Sequence, residues 1–251
     1  MTTRTNARLL ALSTVVLLLL AAVPAPAAPQ GGVYLEVQSE SGGQSQIIKM
    51  SLAPDRMRID SDMGFSLINL GGEGGKMVMV QHDQKQYVEF TSEMMEAMAA
   101  MAGQMPQMEQ DTESTEPPTF TRTGNTKQVG EWSAYEVEVH HPEQDGDLTM
   151  WLSQDVDADF STLVQQVMDS ISSLLNSPMM QMGGGNSAEA IEEFRTMSMG
   201  MPDGFPVQVI SNAGGTESTT TLQAIDQNAS FGPETWEPPA GYTKMDMPFI
   251  R

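Results

Sequence analysis

Between Gly32 and Phe90 apolar and polar side chains alternate with the two-residue period of half-buried strands. The run "VYLEVQ" sets Val33, Leu35 and Val37 against Tyr34, Glu36 and Gln38. "RMRIDS" likewise sets Met57 and Ile59 against Arg56, Arg58 and Asp60. "QIIKMSL", "FSLINL", "KMVMVQ" and "KQYVEF" complete the series, separated by "SGGQS", "GGEGG" and "HDQ". Short runs joined by Gly- and Asp-containing turns predict an antiparallel meander.

The period changes at Ser92. Met94, Met98, Met101, Met105 and Met108 step by four, three, four and three, which is one continuous stripe on a helix over 92–108. Alanines fill the gaps and favour helix. Ser92 is the expected N-cap, and Glu93 and Glu96 set negative charge in the first turn. Gly103 and Pro106 weaken the far end, and residues 109–119 form an acidic, Pro-containing linker. Strand patterns resume with "TFTRTG", "WSAYEVEVH" and "LTMWLS". Leu163, Val167 and Ile171 belong to an apolar stripe that predicts a second helix at about 159–177. A capping box of Asn186 and Glu189 opens a third, at about 187–197. "FPVQVIS" and "STTTLQAID" return to strand, and "WEPPAGYTKMDM" closes the chain. The pattern predicts an α+β domain: one antiparallel sheet with helices against one face.

Composition adds a compartment. Arg4 and Arg8 precede the apolar run "LLALSTVVLLLLAAV", and Ala25-Pro26-Ala27 follows it. That order predicts a cleaved signal peptide at 1–27 and a single mature domain at 28–251, periplasmic or secreted. Cysteine is absent, so disulfides, thiol catalysis, zinc–thiolate sites and a lipidated cysteine are excluded, and no stable membrane anchor is expected. Lys and Arg number 12 against 33 Asp and Glu; losing Arg4 and Arg8 leaves 10 against 33, or −23. So acidic a surface repels phosphate backbones, and no nucleic-acid partner is expected.

The pieces "RMRID", "KMVMV…KQYVEF", "TGNTKQVGEWSAYEVEV", "LTMWLSQD", "GFPVQVI" and "WEPPAGYTKMDM" occur in this order between Gly32 and Met247. Together they resemble a bacterial secreted family, domain-of-unknown-function family 4412. That family is similar in layout to the lipoprotein-carrier (LolA/LolB-like) proteins. The resemblance implies an antiparallel open half-barrel whose concave face is covered by helices around a hydrophobic cavity. It brings no established activity with it.

Twenty-two methionines are the chemical signature of the chain. The plain reading of the 94–108 stripe is an amphipathic packing face. Leucine would pack as well and specify better, so methionine points to a surface that re-packs around variable apolar partners. The ligand-binding candidates are Met94, Met98, Met101 and Met105 of a lid, with Leu163, Val167 and Ile171 of the second helix. The partner expected is an apolar small molecule, a lipid acyl chain or a lipoprotein segment. The alternatives are a Cu(I) site at Met95, Met98 and Met101, since thioethers are soft ligands, and a structural protein with no ligand.

Other motifs offer less. His140 and His141 are adjacent on a strand end and point to opposite faces. "DVDADF" fails as a calcium loop because Phe160 takes the glycine position and Gln166 the glutamate position. "GGEGGK" lacks the Ser or Thr of a phosphate loop, for Met77 stands there. Asp60 and Asp62 are expected as a solvated pair beside Arg58, and "GxSxG" and "HExxH" are absent. The expectation is therefore a non-enzyme without a cofactor.

Overall fold

The structure is a computed structural model, and it describes residues 32–71, 75–91, 93–94, 118–140, 146–156, 201–213 and 216–245. Twelve strands follow one another: β1 (Gly32–Ser41), β2 (Gln44–Ala53), β3 (Arg56–Ser61), β4 (Phe65–Leu70), β5 (Lys76–Gln81), β6 (Gln86–Thr91), β7 (Thr119–Val129), β8 (Trp132–His140), β9 (Gly146–Ser153), β10 (Phe205–Ala213), β11 (Thr216–Ala229) and β12 (Thr243–Lys244). Each alternating run singled out in the sequence is one of these strands. They form one sheet in the order β12-β6-β5-β4-β3-β2-β1-β11-β10-β9-β8-β7. β1 to β6 pair antiparallel in chain order, as do β7 to β11. The join between the two meanders is β1 against β11, in which Val37 faces Leu222 and Ser39 faces Thr220. Only β12 lies parallel to its neighbour, β6, through Thr243 and Lys244.

This corrects the predicted fold class. Among the described residues there is a single twelve-stranded sheet and one short 3-10 turn, Pro233–Trp236, not an α+β fold with helices over a concave face. The helical periods that suggested α+β fall almost wholly on 92–108, 159–177 and 187–197, of which only Glu93 and Met94 are described. What the alternation did not convey is that β1 and β11 would pair. That pairing turns two meanders into one continuous sheet.

Register runs straight across the strands and divides the sheet into two faces. Leu35 lies opposite Met50, Met50 opposite Ile59, Ile59 opposite Leu67, and Leu67 opposite Met79. Beyond the join the same face carries Leu222, Val209, Met150 and Val137. Leu35, Val37, Leu52, Met57, Leu152 and Val209 are fully buried in the main apolar cluster. The other face is mixed. At its β4–β6 end a smaller cluster of Ile68, Val78 and Val80 is packed by Leu70, Tyr87 and Tyr242. Gly32 serves a close approach at the start of β1: a Cβ there would lie 2.2 Å from the Phe231 ring. Phe231 meets Trp236 edge to face, with centroids 5.3 Å apart, so the segment after β11 starts its return path pinned to β1.

Truncating the core of β1 should therefore cost more than any surface change. Leu35→Ala is expected to lower unfolding free energy by about 2–5 kcal/mol, whereas Met63→Ala, at an exposed turn, stays within about 0.5 kcal/mol. Urea titration of both variants against the parent, with the m-value unchanged, is the measurement.

Candidate functional site

Of the site residues expected from sequence, the structure describes one. Met94 is half-buried, and its amide donates at 3.3 Å to Oγ1 of Thr91, the last residue of β6; Ser92, the expected N-cap, lies outside the described residues. Met98, Met101, Met105, Leu163, Val167 and Ile171 lie outside the described residues, as does Met95 of the copper alternative. His141 lies outside them too, and His140 is exposed. Among the described residues no three His, Asp or Glu side chains gather as metal ligands.

What the structure does bring together is a hydrogen-bonded chain on the mixed face. The β3–β4 register places Asp60 opposite Ser66, and Ser66 Oγ–H donates to Asp60 Oδ1. Two residues beyond Val80, in the turn after β5, His82 Nε2 lies 2.6 Å from the same Ser66 oxygen. His82 Nδ1 lies 3.0 Å from the Tyr242 hydroxyl, and the two rings meet edge to face at 5.7 Å. These contacts fix the tautomer. A carboxylate only accepts, so the Ser66 proton is spent on Asp60; Nε2 must then donate to Ser66, and Nδ1 accepts from Tyr242. Arg58 Nε holds the Asp60 carboxylate at 2.8 and 2.9 Å.

Serine, histidine and aspartate in contact invite comparison with a hydrolase triad, and the order of the bonds answers it. Nucleophilic catalysis needs histidine to take the serine proton and a carboxylate to orient the histidine. Here the carboxylate takes the serine proton and a tyrosine holds the histidine. Ser66 is also 0% exposed, out of reach of any substrate. The chain works as a tether. It runs from β3 through β4 and the β5–β6 turn to Tyr242, on the segment that follows β11.

Other bonds hold that segment down. Arg58 Nη1 donates to the Thr235 carbonyl at 2.9 Å and to that of Glu237 at 3.3 Å. The Arg56 guanidinium sits 5.8 Å from the Trp236 ring centre. Thr243 N–H donates to the Lys85 carbonyl at 2.9 Å and Met245 N–H to that of Tyr87 at 2.8 Å, which makes β12. Glu89 on β6 accepts from Lys244 and, at 3.0 Å, from Lys76. The hydrogen bond from Lys244, then that from Lys76, holds the Glu89 carboxyl below the usual carboxylate range.

A second polar group lies on the same face beyond the join, where Gln38 faces Thr221, Thr221 faces Gln208, and Gln208 faces Trp151. Lys127 of β7 places its ammonium 3.9 Å from the Trp151 ring centre and donates to Gln208 Oε1. Gln208 Nε2 donates to Thr221 Oγ1 at 2.9 Å. Glu136, opposite Trp151 on β8, accepts from Thr123 and Asn125, both at 2.6 Å. Burial pushes the Lys127 ammonium pKa down, against the pull of Glu136.

Sequence reasoning missed both groups. Asp60 was expected as half of a solvated pair with Asp62. Instead Asp60 is bonded to Arg58 and Ser66, while Asp62 lies exposed past the end of β3. Ser66, His82 and Tyr242 share no motif. The available signal was local: a serine within β4, two residues from the buried Ile68, and a histidine in the turn after β5, four residues from the buried Val78.

A family described as "Domain of unknown function (DUF4412)" matches residues 30–242. No curated protein matches the chain. Among solved structures, the crystal structure of MucB is similar at 9% identity and a TM-score of 0.42, over 92% of this chain and 63% of that one. The Pseudomonas aeruginosa MucA/MucB complex is similar at 9% and 0.40, over 84% and 56%. The Mycobacterium tuberculosis lipoprotein LppX is similar at 9% and 0.36, over 79% and 88%. The chain thus spans less than two thirds of the MucB chains, and scores this low carry no inference about what it binds.

The Glu89 ion pairs generate a pH prediction. A carboxyl whose folded pKa is depressed contributes stability that is complete above its ordinary pKa and is lost as pH falls through the depressed value. Glu89→Gln should therefore destabilise the protein at neutral pH, and the gap between variant and parent should close as the medium is acidified through that window. Urea midpoints across a pH series read it directly.

Proposed function

The chain belongs to the DUF4412 family, and from there we propose that it is an exported, non-catalytic protein that binds an apolar ligand, an acyl chain or an apolar lipoprotein segment. In this reading residues 1–27 are removed on export and 28–251 form one domain. Met94, Met98, Met101 and Met105 contact the ligand, with Leu163, Val167 and Ile171 beside them.

The observation that supports it most is where the methionines occur. The apolar face of β2–β5 carries Met50, Met57, Met77 and Met79 in adjoining rows, and β6 leads directly into the methionine-rich run that starts at Met94. Unbranched thioether side chains re-pack at low cost around partners of different shape. The wiring of Ser66 and His82 also favours binding over catalysis, because the one Ser–His–Asp contact among these residues is spent on structure.

Two measurements separate this from the copper and structural readings. Organic extraction of the purified mature protein, followed by mass spectrometry, is expected to release acyl lipid; an empty protein holding tight, stoichiometric copper overturns the proposal. Replacing Met94, Met98, Met101 and Met105 together by Leu is expected to leave uptake of a fluorescent fatty acid nearly intact. Replacing the same four by Ser should weaken it on the order of tenfold or more. A copper site predicts equal loss in both variants, since neither Leu nor Ser supplies a thioether.

A further inference from the structure

Trp151 is 8% exposed, yet its indole N–H is buried without a hydrogen-bond partner. It is the lone side-chain polar atom in that condition among the described residues. Native proteins seldom leave such a donor unpaired, because an unsatisfied buried group costs about 1–3 kcal/mol. A phenylalanine would fill much of the same space with no donor to satisfy. The retained indole N–H is therefore itself an indication of an acceptor that comes from outside the chain.

The surroundings say which kind. Above the ring stands the Lys127 ammonium, with three N–H groups of which one is spent on Gln208 Oε1. Gln208 has one of its two amide hydrogens committed to Thr221. Glu136, opposite Trp151 on β8, accepts two short bonds from Thr123 and Asn125 on its Oε2. Beside the Trp151 N–H, two N–H groups of Lys127 and one of Gln208 are left to donate, and burial outweighs the pull of Glu136 on the Lys127 charge. A cation meets the like charge of the Lys127 ammonium there, and a neutral amide brings no charge to set against it. A phosphate dianion brings two charges against one.

We infer that the Trp151–Lys127–Gln208 corner of the sheet is a binding site for a carboxylate, which accepts from the Trp151 indole N–H and pairs with Lys127. Lys127 is the movable part. It lies half-buried on β7, the edge strand, and its long side chain covers the ring and can swing outward to admit the ligand. Burial that depresses the Lys127 pKa in the ligand-free protein also raises the gain when an anion arrives, since the charge is then matched away from water. Trp151 is opposite Gln208 on one side and Glu136 on the other, so the ring is held in register by β8 and β10 and the site is built on strands, not on loops. A carboxylate reaches proteins either as a small free anion or as the head of an amphiphile, and the chemistry at Trp151 is the same for both.

The test uses the full mature chain labelled with 15N, with sodium acetate and sodium oleate as probes and oleyl alcohol as the uncharged control. Trp151→Phe assigns the indole resonance. Saturable downfield movement of that resonance with acetate or oleate, absent with oleyl alcohol, is the result expected. Lys127→Met should then raise the midpoint of the titration at least tenfold, with near-ultraviolet circular dichroism unchanged. Movement with acetate and oleate alike identifies a site for small carboxylates; movement with oleate alone identifies the head-group end of an amphiphile site. Two results overturn the inference. One is an indole resonance that neither probe moves. The other is a Trp151→Phe variant that is more stable than the parent and binds both probes unchanged, which reduces the orphan donor to a tolerated flaw. Uptake of oleate with a silent indole overturns this site while leaving the apolar-ligand reading intact, and movement with acetate in a protein that takes up no lipid does the reverse.

Discussion

The pairing of β1 with β11 is the contact on which the molecule depends. It joins residues 32–41 to residues 216–229 and sutures two meanders that are each local in sequence. Without it there would be two small sheets, each with an unpaired strand carrying side chains that are buried in the whole, Leu35 and Val37 on β1 and Leu222 on β11. Val37 against Leu222 continues the apolar rows from one half to the other, and beside them the Thr220 hydroxyl donates to Ser39 Oγ at 3.3 Å. Closing so long a loop is entropically costly, and the reward arrives only when both rows meet. Folding of such a topology is expected to be slow compared with either meander alone.

The same suture explains what could and could not be read beforehand. Period-two alternation at Val33–Val37, Met57–Ile59 and the later runs located the strands, because one face of each meets the core. The partner of β1 was invisible, since nothing in "VYLEVQ" distinguishes pairing with residue 50 from pairing with residue 222. Helical spacing at Met94–Met108 and Leu163–Ile171 was given equal weight in judging the class, and the sheet's continuity overturned that judgement for the described residues. The tether of Asp60, Ser66, His82 and Tyr242 draws on positions up to 182 apart (242 minus 60), so no window along the chain could reveal it. Trp151 lies in "LTMWLS", where the alternation marks a strand and carries no sign of an unpaired indole N–H.

Charge and methionine content belong to one design. A net charge of −21 keeps the exterior hydrated and discourages association. Thioethers meanwhile supply an interior that conforms without needing one exact shape. The few cations are placed with economy: Arg58, Lys76 and Lys244 each lie against a carboxylate that fastens the final segment, and Lys127 lies against a tryptophan. In so acidic a chain, where the basic side chains sit says more than how many there are.

The two ends of the sheet differ in how they are finished. β7 carries Gly124 at a positive φ of 91°, a break in register between Arg122 and Thr126, and exposed polar side chains along most of its length, all of which discourage another strand from adding there. The opposite rim is covered at Gln86 and Tyr87 by β12, two residues long and supplied from far beyond β6 along the chain. Until that piece emerges, a newly made molecule presents the bare backbone of β6 and the greasy patch of Ile68, Val78 and Val80 to its neighbours. Maturity for this protein is thus a matter of timing: the hazard of sheet-to-sheet sticking persists until Tyr242, Thr243 and Lys244 have joined β6, and whatever shields the chain must stay with it until then.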